Sequence, residues 1–391
     1  MVVARLKELQ KASRLKLAAT KGQIEVHKDF ITYRKYLRRP QHKKTALLVF
    51  LRQPLILEAQ GQKTKQFSNT GMIQTVAKCL NVLGYEVDIV DWDNRSFVPT
   101  KNYDLFIAHG GVNFHSIHSK LKGSPTVIYF STGSYWKFHN LQETKRFKYF
   151  EERHGIDLKP DRFISSSEEE ANRSANAIIA MGESFKTYSD FPNVYRVNNA
   201  TLTDKTPLRS EIELSKARNN FLFFSGPGSI HKGLDLLLDA FIEMPNLHLY
   251  ICSVLDKDFE QYYKKQLTSS DNIHYLGFVV IGSREYYDIL RRCAFCVLPS
   301  CSEGHPGSVI DCMQHGLIPI VTKDAHIDVA QSGIILKDDR VETIKKEIID
   351  MSQEKPERLV KLSRRAADQA SAYSAAAFES DFINIIKRIT D

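Results

Sequence analysis

The stretch from Ala294 to Val321 constrains the fold of this chain more than any other. It opens on a buried apolar run, Ala294-Phe295-Cys296-Val297-Leu298, and closes on a second one, Leu317 to Val321. Between them lie a turn rich in Ser, Gly and Pro and a short helical pattern, with Val309, Cys312 and Met313 on one face and Gly316 as its stop. Strand, loop, helix, strand is the repeating unit of a parallel α/β sheet. In such sheets ligands sit beyond the carboxyl ends of the strands, where a helix N-terminus offers free N–H groups and partial positive charge. Gly304 and Gly307 let a ligand approach the backbone, Ser308 adds a hydroxyl, and Glu303 can accept hydrogen bonds from hydroxyl groups. Glu303 has a plainer reading as the cap of the helix behind it.

A second loop has complementary chemistry. After the apolar run Phe221–Phe224 comes Ser225-Gly226-Pro227-Gly228-Ser229-Ile230-His231-Lys232-Gly233, then a helix with Leu234, Leu237, Leu238 and Phe241 on its apolar face. Glycine amides, the Ser229 hydroxyl and a lysine ahead of a helix suit a diphosphate. The glycine spacing is not that of a Walker A loop, and no Ser or Thr follows Lys232. A merely solvated Lys232 would oppose the helix dipole without an anion to justify it.

Ser302-Glu303-Gly304-x-Pro306, the helix, and Gly316-Leu317-Ile318-Pro319 together resemble the donor-site signature of retaining GT-B glycosyltransferases of the family 4 type. That resemblance implies a Glu303 that touches hydroxyls of the donor sugar. It implies a second acid that binds the nucleotide ribose, and here Asp311 stands after seven intervening residues where the family has Glu. An ordinary solvated helix residue is the alternative for Asp311. The loop 225–233 resembles the family's Gly-Arg-x-x-x-x-Lys-Gly loop, in which both cations neutralise the donor diphosphate. Lys232-Gly233 matches, whereas Pro227 occupies the arginine position, so Ser229, His231 or a distant arginine must compensate. On the acceptor side the family has a Gly-Gly loop where this chain has Thr70-Gly71. It also has a histidine where Thr132 and Gly133 stand, and His109, followed by Gly110, is the nearest substitute by chemistry. His109 could equally be satisfied by loop backbone.

The implied fold is α/β of the GT-B type, two Rossmann-like doubly wound domains facing a cleft, with an N-terminal helical extension. The implied activity is transfer of a sugar from a nucleoside diphosphate sugar to a glycan or glycolipid hydroxyl, with retention, no metal and no cofactor beyond the co-substrate. Lys232, Glu303 and His109 are the candidate catalytic groups, and no nucleophile is assigned. The expected organisation is a basic helical extension over 1–44, an acceptor-side domain over 45–200 and a donor domain over 213–373. A last helix over 374–391 is expected to cross back to the first domain. Residues 137–175 read as an insertion of helices and turns, and 199–220 as a linker.

Charge is unevenly placed. Residues 1–44 carry 13 Lys plus Arg against 3 acids, whereas the whole chain of 391 residues has a net charge of +8, so the remainder is slightly acidic. Val2, Leu6, Leu9 and Leu17 beside Lys7, Lys11 and Arg14 read as a basic amphipathic segment. It would either touch an anionic membrane or pack on the body of the protein. Aromatics interleave with the basic residues only from Phe30 on, which argues against nucleic acid. No apolar run spans a bilayer and no secretory leader is recognisable, so a cytoplasmic, possible peripheral-membrane setting is expected. Cys293 and Cys296 form a C-x-x-C whose spacing to Cys301 and Cys312 fits no zinc ribbon, and reduced buried thiols are expected. A sugar-nucleotide epimerase of the same fold and a catalytically inactive nucleotide-sugar scaffold are the competing functions.

Overall fold

The structure, a computed structural model, describes residues 23–37, 44–62, 69–160, 162–204, 206 and 209–391. The chain divides into two compact units, Met1–Val127 and Ile128–Asp391.

In the first unit five strands lie in the order β1 (Ile24–Val26), β2 (Ile31–Tyr33), β4 (Tyr85–Asp91), β3 (Lys44–Phe50), β5 (Leu105–Ala108). The strands β3, β4 and β5 run parallel; β3 and β5 are apolar on both faces, as a covered sheet requires, whereas β4 buries Glu86 and Asp88 on one face. The helix α1 (Asn69–Val82) follows β3 and buries Ile73, Val76, Ala77 and Leu80 at helical spacing. Thr70 and Gly71 lie in the first turn of α1 and not in the loop ahead of it, so Gly71 is a buried helical glycine.

The expectation of a helical extension over residues 1–44 fails for the described part. Residues 24–33 form an antiparallel hairpin, and β2 pairs antiparallel with β4, Ile31 opposite Ile89. Alternation of β-branched and aromatic residues, Ile24, Val26, Ile31 and Tyr33, is a strand pattern that the surrounding lysines and arginines obscured. The hairpin is tied by polar groups as well. The buried carboxylate of Asp88 accepts from Thr32 Oγ1 at 2.8 Å and from Tyr103 OH at 2.7 Å. Arg34 pairs with Glu86 and, at 2.8 Å, with Glu25, and Lys35 lies 2.6 Å from Glu58. Part of the basic excess is thus spent inside the unit. Val2, Leu6, Leu9 and Leu17 lie outside the described residues.

The second unit contains β6 (Thr126–Ser131), β7 (Ala177–Met181) and β8 (Val194–Val197), paired in parallel. Between β6 and β7, residues 137–175 hold helices and turns as expected: a 19-residue helix, α2 (Trp136–His154), and a short helix, Glu168–Ser174. Six further strands form one parallel sheet in the order β11 (Ile273–Tyr275), β10 (His248–Cys252), β9 (Asn220–Phe224), β12 (Phe295–Leu298), β13 (Ile318–Thr322), β14 (Ile334–Leu336). The chain winds outward from β9 in one direction and from β12 in the other. Phe221 and Phe295 stack across this central pair, centroids 4.7 Å apart. The helix α3 (Leu234–Ile242) follows β9, and α4 (Gly307–Gln314) follows β12.

The linker contains a helix that its mixed composition hid, Glu211–Ala217, started by a reciprocal cap between Ser210 and Glu213. The last helix, α5 (Ala375–Thr390), packs Phe382 edge-on against Phe130 of β6, and Arg388 lies over Tyr195 of β8. All six cysteines are free and buried. No helix among the described residues is long and apolar enough to cross a membrane.

Because Ile31 is fully buried between the hairpin and β4, Ile31→Ala should cost about 2–5 kcal/mol. Chemical denaturation followed by tryptophan fluorescence measures it. An unchanged transition would show that the hairpin is not part of the folded body.

Candidate functional site

Strand order alone selects a place for a ligand. At the junction of β9 and β12 the connections diverge, and a crevice is left outside the carboxyl ends of the two strands. The loops at those ends are 225–233 and 299–306, the two that the sequence singles out.

They are laced together by backbone. Cys301 N donates to His231 O at 3.0 Å, and Ser300 Oγ lies 3.3 Å from the same carbonyl oxygen. A ring nitrogen of His231 returns a bond to Ser302 O at 2.7 Å. The lacing brings Lys232 and Glu303 into contact, Nζ to Oε1 at 2.5 Å, each side chain only 12% exposed. Ser300 Oγ donates to the same carboxylate oxygen at 2.7 Å. Burial acts to raise the Glu303 carboxyl, but Lys232, His231 and the Ser300 hydroxyl outweigh it and hold it down at about 2. Glu303 is therefore a carboxylate at neutral pH, and not a cap of α4. Its Oε2 has no partner among the described residues. In α4 the first intrahelical bonds are made by Val309 and Ile310 N–H to Pro306 O, so the amides of Gly307 and Ser308 precede them. The cap residue, Pro306, supplies no side-chain bond.

Glycines are required at specific contacts. A Cβ on Gly304 would lie 2.0 Å from Thr132 O, and one on Gly233 would lie 2.5 Å from Pro299 O, where φ is already +78°. The first contact brings the Thr132-Gly133 turn against the Glu303 loop. Ser134 Oγ and His326 Nδ1 both bond Glu303 O, at 2.7 and 2.6 Å. Burial holds the His305 ring down to about 3, so its Nδ1 is a neutral acceptor for Asn199 N–H at 3.0 Å.

The remaining expected residues divide. Gly226 and Pro227 are exposed, whereas Gly228 and Ser229 are buried, with Ser229 N donating to Asp256 at 2.8 Å. Arg162 comes from far away in sequence to lie against Gly228 and donates to Pro227 O at 3.1 Å. Asp311 is fully buried and not solvated. One of its oxygens accepts from Leu202 N at 3.1 Å and Thr203 Oγ1 at 2.8 Å, and the other accepts from Tyr286 OH. A ribose hydroxyl would have to compete with those donors. Gly71, His109 and Gly110 belong to the first unit, where His109 lies 4.4 Å from Phe50, centroid to centroid, just past β5.

Sequence reasoning missed the supports beneath the loops. His139, Glu143 and Arg146 share one face of α2 with Phe150, and all four are buried. Arg146 donates to Ile230 O at 3.2 Å, to Pro299 O at 2.8 Å and to Asp339 at 3.0 Å. Glu143 bonds His231. Burial acts to raise the Glu143 carboxyl and His231 lowers it further than that, so the net shift is downward. The spacing of these residues was a visible signal, but polar residues on a helix face ordinarily mark solvent.

Comparison with known proteins now bears on this geometry. Residues 218–354 match the family model described as Glycosyl transferases group 1. The match lies wholly within the second unit. The matched region holds β9 to β14 and both donor loops. No curated protein matches by sequence. Among solved structures, sucrose-phosphate synthase from Thermosynechococcus elongatus superposes with a TM-score of 0.63 at 11% identity, covering 89% of this chain and 99% of that one. Anabaena HepE in complex with UDP and glucose superposes at 0.52 and 15% identity, covering 89% and 100%. S. aureus TarM superposes at 0.54 and 12% identity, over 73% of this chain and 56% of that one. The fold is GT-B, with two Rossmann-like domains in one chain.

Arg146→Met keeps volume but strands the buried Pro299 carbonyl, while Ile230 O retains its bond from Gly233 N–H. The expected loss is about 1–3 kcal/mol of stability, measured by denaturant titration of full-length protein. A loss below about 1 kcal/mol, within the ordinary range of surface changes, would show that the loops stand without it.

Proposed function

We propose that this group 1 glycosyltransferase domain transfers a sugar from a nucleoside diphosphate sugar to the hydroxyl of a glycan or glycolipid, with retention of configuration. The observation that carries the reading is the Lys232–Glu303 pair at the β9/β12 junction. It sets a cation and a hydroxyl-accepting carboxylate side by side, one for each half of a sugar nucleotide. HepE, which shares the fold, was solved with UDP and glucose, a ligand set of this chemistry.

In the free protein the two side chains neutralise each other. On donor binding the diphosphate draws Lys232, while Glu303 keeps one oxygen on Ser300 and offers the other to sugar hydroxyls. In the transfer the bond from the anomeric carbon to the diphosphate breaks and its electron pair stays on the departing phosphate oxygen. The acceptor oxygen bonds to the anomeric carbon on the face the diphosphate leaves, and the acceptor proton passes to the departing phosphate or to solvent. Lys232 and the amides of Gly307 and Ser308 stabilise the charge that develops. Glu303 holds the sugar in register. Arg162 supplies the second cation that Pro227 cannot, reaching the same loop from outside it. No metal is given a part in the transfer. A glycolipid acceptor would suit attachment to an anionic bilayer through the basic residues near the start of the chain.

Lys232→Ala should reduce turnover roughly ten- to hundredfold, the cost of a lost charge-assisted hydrogen bond. Glu303→Gln should depress transfer while nucleoside diphosphate still stabilises the protein in thermal shift. If diphosphate binding falls as far as transfer, Glu303 supports the loop and not the sugar. Hydrolysis or epimerisation without an acceptor would replace the transferase reading with an epimerase, and binding without turnover would make the protein a scaffold.

Arg162→Ala should raise the donor KM about tenfold, with kcat nearly unchanged if the contact is equally strong in ground and transition states. Adding Pro227→Arg to that variant should recover most of the loss. A double variant no better than Arg162→Ala would deny the two positions a common role.

A further inference from the structure

We propose that His139, Glu143, His231 and Cys301 bind a divalent transition-metal ion of the zinc type, buried beneath the two donor loops, where it holds the loops in register and takes no part in transfer. His139 and Glu143 are one helical turn apart on α2, His231 comes from the loop after β9, and Cys301 from the loop after β12. One ring nitrogen from each histidine and one oxygen of Glu143 lie within 4.8 Å of one another. Cys301 Sγ lies 3.4 Å from His231 Nδ1 and 3.8 Å from Glu143 Oε2. All four residues are buried, Glu143 completely.

Proton accounting points to a cation. His139 Nε2 faces Arg162 O at 2.8 Å and His231 Nε2 faces Ser302 O at 2.7 Å. A carbonyl only accepts, so each Nε2 carries the hydrogen and each neutral ring turns the lone pair of Nδ1 elsewhere. For His231 that lone pair meets the Glu143 carboxylate, and two acceptors in contact need a positive centre between them. A single proton on His231 would satisfy that pair alone. It would leave Glu143 Oε1 as it stands, buried with no hydrogen-bond partner among the described residues. A metal ion would draw on the Glu143 carboxylate and on both histidines together. Histidines whose outer N–H is held by a backbone carbonyl are the usual form of a metal-bound imidazole. Two imidazoles, a carboxylate and a thiol form a donor set suited to zinc, with affinity for cobalt(II) as its spectroscopic substitute. The four ligands come from three segments, and two of those segments carry Lys232 and Glu303. A metal here would lock the loops at their base.

The test is metal content of the full-length protein, purified without chelator from zinc-supplemented medium and measured by plasma mass spectrometry. Stoichiometric zinc is expected, and its removal by chelator should lower the melting temperature reversibly. Cobalt(II) added to the chelator-treated protein should give a thiolate-to-metal charge-transfer band, absent in Cys301→Ser, which keeps the shape of the thiol. Folded protein with only trace metal, no cobalt band and a melting temperature indifferent to chelator would overturn the proposal and leave Glu143 and His231 as a plain buried ion pair. These readouts do not depend on sugar transfer, so a failed transferase assay would leave the metal question answered.

Discussion

The donor loops rest on one buried charge. The Arg146 guanidinium is wholly excluded from solvent, and its hydrogens go to the carbonyls of Ile230 and Pro299 and to Asp339. A cation in that position is costly to bury and stays only because several acceptors surround it. Those acceptors belong to two loops that start from different strands, so satisfying the arginine fixes the spacing between them. The Lys232–Glu303 contact and the approach of Gly233 to Pro299 O follow from that spacing. The site is thus assembled on α2 as much as on the strands.

Close backbone packing does the rest of the positioning. Gly304 touches the carbonyl of Thr132 and Gly233 that of Pro299, at separations no side chain could share. Hydrogen bonds from Ser134 and His326 converge on Glu303 O and set the direction of its side chain. Glu303 is consequently held as a carboxylate in the free protein. Asp311 shows the opposite case, an acid at family spacing that the fold has used for packing α4 onto Tyr286 and the 202–203 segment.

Charge placement was the weakest guide. The basic start of the chain suggested a free amphipathic arm, yet its described part is a hairpin whose Arg34 and Lys35 are paired with Glu25, Glu86 and Glu58. Net charge by segment counts residues without regard to partners, and partners arrive only with the tertiary fold.

Apolar runs and turn chemistry were legible in the linear sequence because both act over a few residues. The strands from Lys44–Phe50 to Ile334–Leu336, the glycine loop ending in Lys232-Gly233 and the loop holding Glu303 could all be read from local pattern. Their meeting at the β9/β12 junction was not legible, because the rhythm does not say where the strand order reverses. What only the tertiary structure decided was every relation across long separation: Arg162 at Pro227, Arg146 under both loops, Glu143 at His231, and Asp311 turned inward. The reason is physical. A polar residue on a helix looks the same in sequence whether water or a buried partner satisfies it, and the partner is supplied by chain that is distant until the molecule has folded.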